Sequence, residues 1–279
     1  MKPDLVMPIP MPTPVVNARM YSATPRTRAA WKTLLAWVVR DAGLDWDVID
    51  YDAPQPLNAL WARDDLGLVM MCGLPFARRV PHAEIVVAPI PLPSRYGGRA
   101  QYCTDIVVRS DSPFETLADS FGAVAGYTLA DSLSGGVAFD RFLETFRTPQ
   151  RRRLYRQSVG PLIHARGVIE ALARGEIDVG PLDSYYHDLL RYDEPDFAAQ
   201  VRTIATTPMR PIPPLVASVP LTADKLHALR QSLHASVQAS ELELVRARIL
   251  LAGFEQPDPA DYGPLRELAA LTPDSLEEL

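Results

Sequence analysis

Small polar residues follow an apolar run near the middle of the chain, in the stretch Tyr127-Thr-Leu-Ala-Asp-Ser-Leu-Ser-Gly-Gly-Val-Ala-Phe139. This order is typical of a strand, a tight loop and the first turn of a helix. Ser132 and Ser134 are good N-cap residues, and Gly135 and Gly136 let backbone N–H groups come close to a bound group. Because a helix N-terminus favours negative charge, the stretch predicts an anion-binding turn, although a plain capped helix has the same pattern.

A second turn with binding chemistry ends the apolar run Leu66 to Cys72. The run is continuous, as in strands that are buried on both faces of a parallel sheet. It delivers Cys72-Gly73-Leu74-Pro75-Phe76 at its carboxyl end, which is where open α/β sheets hold their ligands. We therefore expect Cys72, Gly73 and Phe76 to form part of a pocket wall. A Gly-Pro turn with a packed phenylalanine is the alternative.

The elements that must position these turns form two blocks of alternating strands and helices, followed by a return leg. In the first block the pattern predicts helices at 25–42 and 56–62 and strands at 14–21, 46–51, 66–72, 85–90 and 102–109. In the second block it predicts helices at 112–119, 137–145, 166–174 and 185–190 and extended segments at 122–126, 158–164 and 177–183. The return leg has strands at 201–206 and 215–218 and helices at 222–238, 240–252 and 262–271. Such alternation predicts an α/β fold.

The composition is that of an ordinary globular protein. Of the 279 residues, 47% are hydrophobic and 22% are charged, and the net charge of −6 gives no broad attraction to nucleic acid. No segment is long and apolar enough to suggest a membrane span. The two cysteines, Cys72 and Cys103, are too few for a disulfide framework, and no Cys/His set has zinc-ligand spacing.

Several ordered pieces of the sequence are shared with one family. They are Val107-Val-Arg-Ser-Asp-Ser-Pro-Phe114, Asp131-Ser-Leu-Ser-Gly135, His164, and the segment from Val168 to Ser184. Through them the chain, from about residue 15 to about residue 252, resembles the substrate-binding proteins of phosphate, phosphite and phosphonate ABC importers. The resemblance implies a type II periplasmic-binding-protein fold. In that fold each of two α/β lobes has a mainly parallel sheet flanked by helices, and the ligand cleft lies between the lobes.

The two blocks and the return leg then predict the division of the chain. We expect residues 1–104 and 205–279 to form lobe I and residues 105–204 to form lobe II. The chain would cross between the lobes twice, at hinge strands near 101–106 and 201–207, and closure would be a hinge motion at these crossings.

The resemblance also implies roles for single residues. The anionic head group of the ligand would be held by Ser132, Ser134, Gly135 and His164, and Asp183 would meet its opposite pole. Aromatic and other residues of the first lobe would line the rest of the pocket: Tyr21, Tyr102 and the turn from Cys72 to Phe76. Taken alone, His164 also fits a structural histidine, and Asp183 fits an N-cap for the helix that follows it.

One position departs from the family pattern. Phosphonate-type relatives commonly have a hydroxyl residue between the two serines, where this chain has Leu133. The missing donor favours a ligand with fewer oxygens, such as a carboxylate or a sulfur-containing organic anion.

Two functions fit this fold. The first is a solute-binding protein that clamps a small organic anion, phosphonate-like, sulfonate or carboxylate, for an ABC importer. The second is a cytosolic enzyme on the same fold, like the menaquinone-pathway enzymes or the thiamine-pyrimidine synthases. The sequence has no close carboxylate pair at the cleft positions, no G-x-S-x-G, no metal-ligand cluster and no nucleotide-binding glycine loop. We therefore predict a binding protein with no catalytic residue, metal or cofactor.

The prediction of a solute-binding protein also sets the expected partners and location. We expect a monomer that binds a small anionic ligand and an ABC permease, and that binds no nucleic acid. Residues 1–14 contain five prolines and lack the continuous apolar stretch of about 7–15 residues that a signal peptide needs. The protein would therefore be periplasmic if a leader was removed and cytoplasmic if Met1 is the native start.

Overall fold

The computed structural model describes residues 12–79 and 83–270 together with Leu276 and Leu279. The expectations for residues 1–11 and for Leu271 lie outside this part of the chain. The strands are β1 (Val15–Asn17), β2 (Asp47–Val48), β3 (Leu66–Met70), β4 (Glu84–Pro91), β5 (Gln101–Tyr102), β6 (Thr104–Arg109), β7 (Val124–Gly126), β8 (Gln157–Val159), β9 (Val179–Asp183), β10 (Val201–Thr206), β11 (Arg210–Pro211), β12 (Leu215–Ala217) and β13 (Leu251–Glu255). The helices are α1 (Pro25–Asp41), α2 (Leu57–Trp61), α3 (Gly73–Arg79), α4 (Ala138–Leu143), α5 (Ala165–Ala173), α6 (Ser184–Asp193), α7 (Pro195–Ala198), α8 (Ala223–Gln238), α9 (Glu243–Arg248) and α10 (Gly263–Ala270).

All of these strands except β5 and β11 belong to two sheets. The first has the order β13-β4-β12-β3-β1-β2 and the second the order β10-β6-β9-β7-β8. The pairs β1–β2, β1–β3, β7–β8 and β7–β9 are parallel, whereas β12 and β13 in the first sheet and β6 in the second run antiparallel to their partners. Each sheet is therefore mixed, because β12 and β13 run against their neighbours in the first sheet, and β6 runs against both of its neighbours, β9 and β10, in the second.

The two segments that run between the sheets are paired with each other. The short ribbon of β5 with β11 continues into the antiparallel pair of β6 with β10. At the junction the N–H of Thr104 donates to Oγ1 of Thr207 (2.9 Å), and the N–H of Thr207 donates to the carbonyl of Thr104 (3.0 Å). These pairings join the strands at which the sequence predicts the hinge.

Helix α1 shows how local sequence builds the first layer. Thr24 is its N-cap: its hydroxyl accepts from the N–H of Thr27, whose side chain in turn accepts from the N–H of Thr24 (2.8 Å). Pro25 occupies the first turn, where its missing N–H costs nothing. The apolar stripe buries Trp31, Leu34, Leu35 and Val38, as the spacing predicts.

Several predicted elements differ in the structure, and the strand predicted at 14–21 is reduced to β1. The turn at 72–76 is the start of α3, and the strand predicted at 46–51 is reduced to β2. The predicted helix at 112–119 is absent: Asp119 Oδ2 instead accepts the N–H groups of Glu115 (3.1 Å) and Thr116 (2.8 Å), which holds a turn. The helix predicted to end at 252 stops at Arg248, and the apolar residues that follow pair as β13 with β4.

The end of the chain contacts the second sheet. Leu276 and Leu279 are buried with Ile106, Phe139 and Tyr155, and the carbonyl of Leu279 accepts from the N–H of Tyr155 (3.1 Å). This differs from the expectation that everything after residue 204 belongs with the first sheet. Within the described residues, no helix has the length and apolar character needed to cross a membrane.

Candidate functional site

A cavity of about 680 Å³ lies between elements of the two sheets, and we call it the cleft cavity. Residues from the side of the first sheet line one wall: Arg19, Met20, Arg28, Asp52, Leu57, Asn58 and Cys72 among others. Residues from the side of the second sheet line the other: Thr128, Asp131, Ser132, Ser134, Gly135, Ile163, His164, Arg166, Asp183, Tyr186 and Glu194. Of the predicted site residues, Cys72, Ser132, Ser134, Gly135, His164 and Asp183 thus meet at one cavity.

The serine turn opens the helix formed by a π-helical turn at Leu133–Val137 and α4. Ser132 is its N-cap, and its Oγ accepts from the N–H of Gly135 (3.1 Å). The Gly135 N–H, which we expected to face a bound anion, thus donates to the cap in this structure. The hydroxyl hydrogen of Ser132 remains as a donor. Gly135 is needed for a different reason than we expected: a Cβ there would lie 1.7 Å from Oγ1 of Thr128.

His164 is the N-cap of α5. Its Nδ1 accepts from the N–H of Gly167 (3.0 Å), so in the neutral ring the proton is on Nε2. The residue before it, Ile163, has a φ of +68°, which is strained backbone for a β-branched residue. The N–H of Ile163 donates to the carbonyl of Thr128 (3.1 Å), which joins this bend to the serine turn. His164 therefore presents its Nε2–H as a donor at the cavity wall, with the ring held by the cap.

Asp183 caps α6 and also faces the cavity. Its Oδ1 accepts the N–H groups of Tyr185 (3.0 Å) and Tyr186 (3.1 Å), and its Oδ2 accepts the hydroxyls of Tyr21 (3.3 Å) and Ser134 (3.4 Å). Burial raises the pKa of Asp183 to about 7, although these four donors act in the opposite direction. Its charge therefore changes near neutral pH.

The remaining predicted residues do not line the cavity. Tyr21 is fully buried and reaches the site only through its hydroxyl bond to Asp183. Phe76 packs edge-on against Tyr262 with ring centroids 5.3 Å apart, and a Cβ on Gly73 would lie 2.9 Å from Leu265. Because α3 and α10 pack together there, Gly73 and Phe76 contact this packing and are not among the residues that line the cleft cavity.

Gly136 and Tyr102 are also buried behind the wall. A Cβ on Gly136 would lie 2.6 Å from Leu276 and 2.7 Å from the carbonyl of Leu129, so this glycine serves packing. The Tyr102 side chain is 2% exposed, and its hydroxyl has no hydrogen-bond partner among the described residues. Leu133 is likewise buried in the core and does not line the cavity. A side chain at position 133 therefore points into the core, where it would not donate to a ligand in the cavity.

Cys72 is the one member of the second predicted turn that reaches the cavity. Burial raises the pKa of its thiol to about 11, while the backbone N–H groups of Leu133 and Leu74 act weakly in the opposite direction. A thiol that stays protonated is a packing group rather than a nucleophile. Within the described part of the chain, no group of three or more His, Cys, Asp or Glu side chains is arranged to hold a metal ion.

Charged residues at the cavity were missed by the sequence reasoning. Arg28 pairs with Asp52, and Arg166 pairs with Glu194 (2.7 Å). Arg19 stacks over the ring of Tyr51. These residues lie on loops and helix ends, and an isolated charge in such a place has no periodic pattern that distinguishes it from a solvated one.

Hydrogen bonds join the two walls directly. Nδ2 of Asn58 donates to Oδ2 of Asp131 (3.0 Å), and the hydroxyl of Tyr186 donates to the carbonyl of Ala23 (3.4 Å). Together with the bond between Tyr21 and Asp183, these contacts hold the walls against each other around the cavity.

Two sheets joined by paired crossing strands, with a cavity between them, define a two-lobed binding protein of the type II periplasmic-binding-protein fold. The chain belongs to the family of periplasmic substrate-binding proteins of phosphonate ABC transporters, whose pattern matches residues 21–262. The prediction of a binding protein rather than an enzyme is confirmed by this membership. A search of the curated proteins found no match to the sequence.

Solved structures share the fold. A binding-protein component of an ABC phosphonate transporter from Pseudomonas aeruginosa is 19% identical, with a TM-score of 0.73 over 92% of this chain and 85% of that one. PhnD1 from Prochlorococcus marinus, solved with methylphosphonate, is 12% identical, with a TM-score of 0.74 over 92% and 97%. XAC2383 from Xanthomonas citri, solved with ATP, is 20% identical, with a TM-score of 0.61 over 92% and 96%.

Proposed function

We propose that the protein clamps a small organic anion, phosphonate-like, sulfonate or carboxylate, in the cleft cavity and delivers it to an ABC permease. The observation that carries this is the convergence of Ser132, Ser134, His164 and Asp183, which are far apart in the sequence, on one cavity. Three of them cap helices, and the hydroxyl of Ser132 and Nε2 of His164 are donors that this wall offers to an anion. The Ser134 hydroxyl donates to Asp183 over 3.4 Å, and in the proposal it turns from this long bond to the anion.

The two lobes are part of the proposal. The described residues up to 104 and those from 205 to 270 form lobe I, and residues 105–204 form lobe II, with the hinge at the paired strands near 101–106 and 201–207. The division is supported by sheet membership, since β1 to β4, β12 and β13 share one sheet and β6 to β10 share the other. The family description supports a periplasmic location and a permease partner.

The ligand's anionic group is placed against the serine turn. Methylphosphonate and ATP, the ligands of two relatives with this fold, both carry phosphorus-bound oxygens, which supports keeping phosphonates in the proposed class. The buried position of Leu133 removes the reason to prefer carboxylates over them.

Calorimetric titration of Ser134→Ala tests the proposal. With methylphosphonate, methanesulfonate and acetate as probes, we expect at least one to bind the unaltered protein. Ser134→Ala should weaken that binding tenfold to a hundredfold, because a hydrogen bond to a charged group contributes about 1.5–3 kcal/mol.

Ser236→Ala is the matched control, since the buried Ser236 hydroxyl donates only to a carbonyl of its own helix, that of Leu233. Binding by this variant should match that of the unaltered protein. Unchanged affinity in Ser134→Ala would mean that the turn is only a helix cap, and the proposal would fail.

A further inference from the structure

Arg19 differs from the other two arginines at the cleft cavity. Arg28 and Arg166 are paired with Asp52 and Glu194, whereas no carboxylate among the described residues lies within ion-pair distance of Arg19. Its Nη1 donates to the backbone carbonyl of Gln55, and its guanidinium lies 5.5 Å from the centroid of the Tyr51 ring. Both of these partners are neutral.

The position of Arg19 makes this lack of a counter-charge costly. The residue is half-buried, and burial lowers the pKa of its guanidinium, while Tyr51 and Asp52 only partly offset the effect. A cation that is partly removed from water without an ion-pair partner is stabilised when an anion approaches it. Arg19 lines the cavity, so a bound ligand can supply that anion.

The loop that carries the neutral partners is itself held in place. Arg28 pairs with Asp52, Lys32 pairs with Asp50 (2.8 Å), and the hydroxyl of Tyr51 donates to the carbonyl of Pro56 (2.9 Å). Arg19 is thus oriented by a fixed loop, as a preorganised binding group must be.

The volume and the apolar residues of the cavity indicate a ligand longer than a head group. About 680 Å³ lies within the range of roughly 300–1,000 Å³ that holds drug-sized molecules. Met20, Leu57 and Ile163 contribute apolar surface to the same cavity, and the Ile163 side chain is 46% exposed there. Apolar surface beside polar groups suits a ligand with a carbon skeleton between two acidic ends.

We propose that Arg19 forms a second anion subsite, so that the cleft cavity takes an elongated organic anion with one acidic group at the serine turn and another at Arg19. This rests on the proposed function, because it assumes that the serine turn and His164 hold the first group. The ligand class is an organic diacid, such as a phosphonate that carries a carboxylate at the far end of its chain.

Titration with two matched ligand series tests this. One series is the unbranched alkylphosphonates with one to six methylenes, and the other has the same chains ending in a carboxylate. In the unaltered protein we expect the terminal carboxylate to strengthen binding about tenfold or more at the chain length that reaches Arg19.

Arg19→Met should remove this gain and leave the affinity for the plain alkylphosphonates within about twofold. Arg19→Lys, which keeps the charge, should retain part of the gain. Arg99→Met is the control for net charge, because Arg99 is exposed and lies outside the cavity wall, and it should behave like the unaltered protein.

Each other outcome overturns the proposal. A gain that is absent at every chain length, or one that survives in Arg19→Met, means that Arg19 is not a ligand contact. Equal weakening of both series by Arg19→Met means that Arg19 only positions the loop at Gln55. If neither series binds the unaltered protein, the proposed function itself fails, and the second subsite fails with it.

Discussion

The two walls of the cleft cavity are built in different ways. On the wall from the second sheet, Ser132, His164 and Asp183 are short side chains that each accept N–H groups from the first turn of the helix they cap. On the wall from the first sheet, Arg19, Arg28 and Asp52 act through long or loop-borne side chains whose partners come from elsewhere in the sequence. The first wall is fixed by local hydrogen bonds and the second by tertiary ones.

Because of this difference, the two walls suit different parts of the proposed ligand. Helix caps hold a hydroxyl or an imidazole within a narrow range of positions, which suits the recognition of a small anionic group. Arg19 and Arg28 carry full charge at the ends of long side chains, which suits a part of the ligand that lies farther from the serine turn.

Gly135→Ala should have the largest effect. Its Cβ would lie 1.7 Å from Oγ1 of Thr128, so the serine turn must shift, at a cost of about 1–3 kcal/mol in the free energy of unfolding. The displaced donors should lower the affinity for the best-binding anion more than a hundredfold, as measured by calorimetry.

Gly263→Ala is the control for the loss of a glycine. A Cβ there meets nothing within 4 Å, and its φ of −52° suits any residue, so stability should be equal or slightly higher. If Gly135→Ala also folds and binds normally, the serine turn is not a tightly held site.

His164→Asn separates the two roles of this residue. Asparagine is a good N-cap, so the free energy of unfolding should change by less than about 0.5 kcal/mol, while affinity should fall about tenfold because the Nε2 donor is lost. His164→Ala should lose the same affinity and also about 1 kcal/mol of stability. Normal binding by His164→Asn would remove His164 from the head-group site.

Asp183 should make binding depend on pH. Its pKa is raised from 3.8 to about 7, so the carboxyl is increasingly neutral below pH 7 and charged above it. A charged Asp183 repels an anion, and affinity for methanesulfonate, whose own charge is constant in this range, should therefore fall as pH rises from 6 to 8. The slope is at most about tenfold per pH unit, since one proton is linked to binding.

Asp183→Asn removes this titrating group and leaves the others in place. The variant should lose the pH dependence that Asp183 contributes to binding, and equal profiles in both proteins would contradict the assignment.

The raised pKa of Asp183 also affects folding: a raised native pKa stabilises the protein below pH 4, and that contribution is lost as pH rises through about 7. Unfolding measured over pH 4–8 should show this loss in the unaltered protein and not in Asp183→Asn.

Part of the wall that local hydrogen bonds build has a pattern in the sequence. Ser132, Ser134 and Asp183 stand at helix starts whose caps can be recognised in the chain, whereas His164 was expected only through the family resemblance. Arg19 could not be predicted in this way, because its role depends on Tyr51 and Gln55, which are brought to it by folding.

Most of the turn from Cys72 to Phe76 lies away from the cavity for a related reason. Its position at a strand end was read correctly, but α10 covers it, and no local signal shows which helix will pack on a strand end. β13 was missed likewise, because its pairing with β4 decides its conformation and its own sequence continues a helical pattern.

Leu133→Thr should have the smallest effect on affinity, because Leu133 is buried whereas its neighbours Ser132 and Ser134 line the cavity. The sequence places Leu133 between two serines that face the cavity, which led to the expectation that a hydroxyl there would add a donor for phosphonate oxygens. In the structure its side chain is 1% exposed and packs in the core, so a threonine hydroxyl at this position faces apolar neighbours. The free energy of unfolding should therefore fall by about 1–3 kcal/mol, while the ratio of affinities for methylphosphonate and acetate stays within about twofold of the original. Leu133→Val, which shortens the side chain without adding a hydroxyl, separates the loss of packing from the burial of a polar group. Calorimetry with both ligands and chemical denaturation of both variants measure these quantities, and a clear gain for methylphosphonate in Leu133→Thr alone would mean that this side chain reaches the ligand after all.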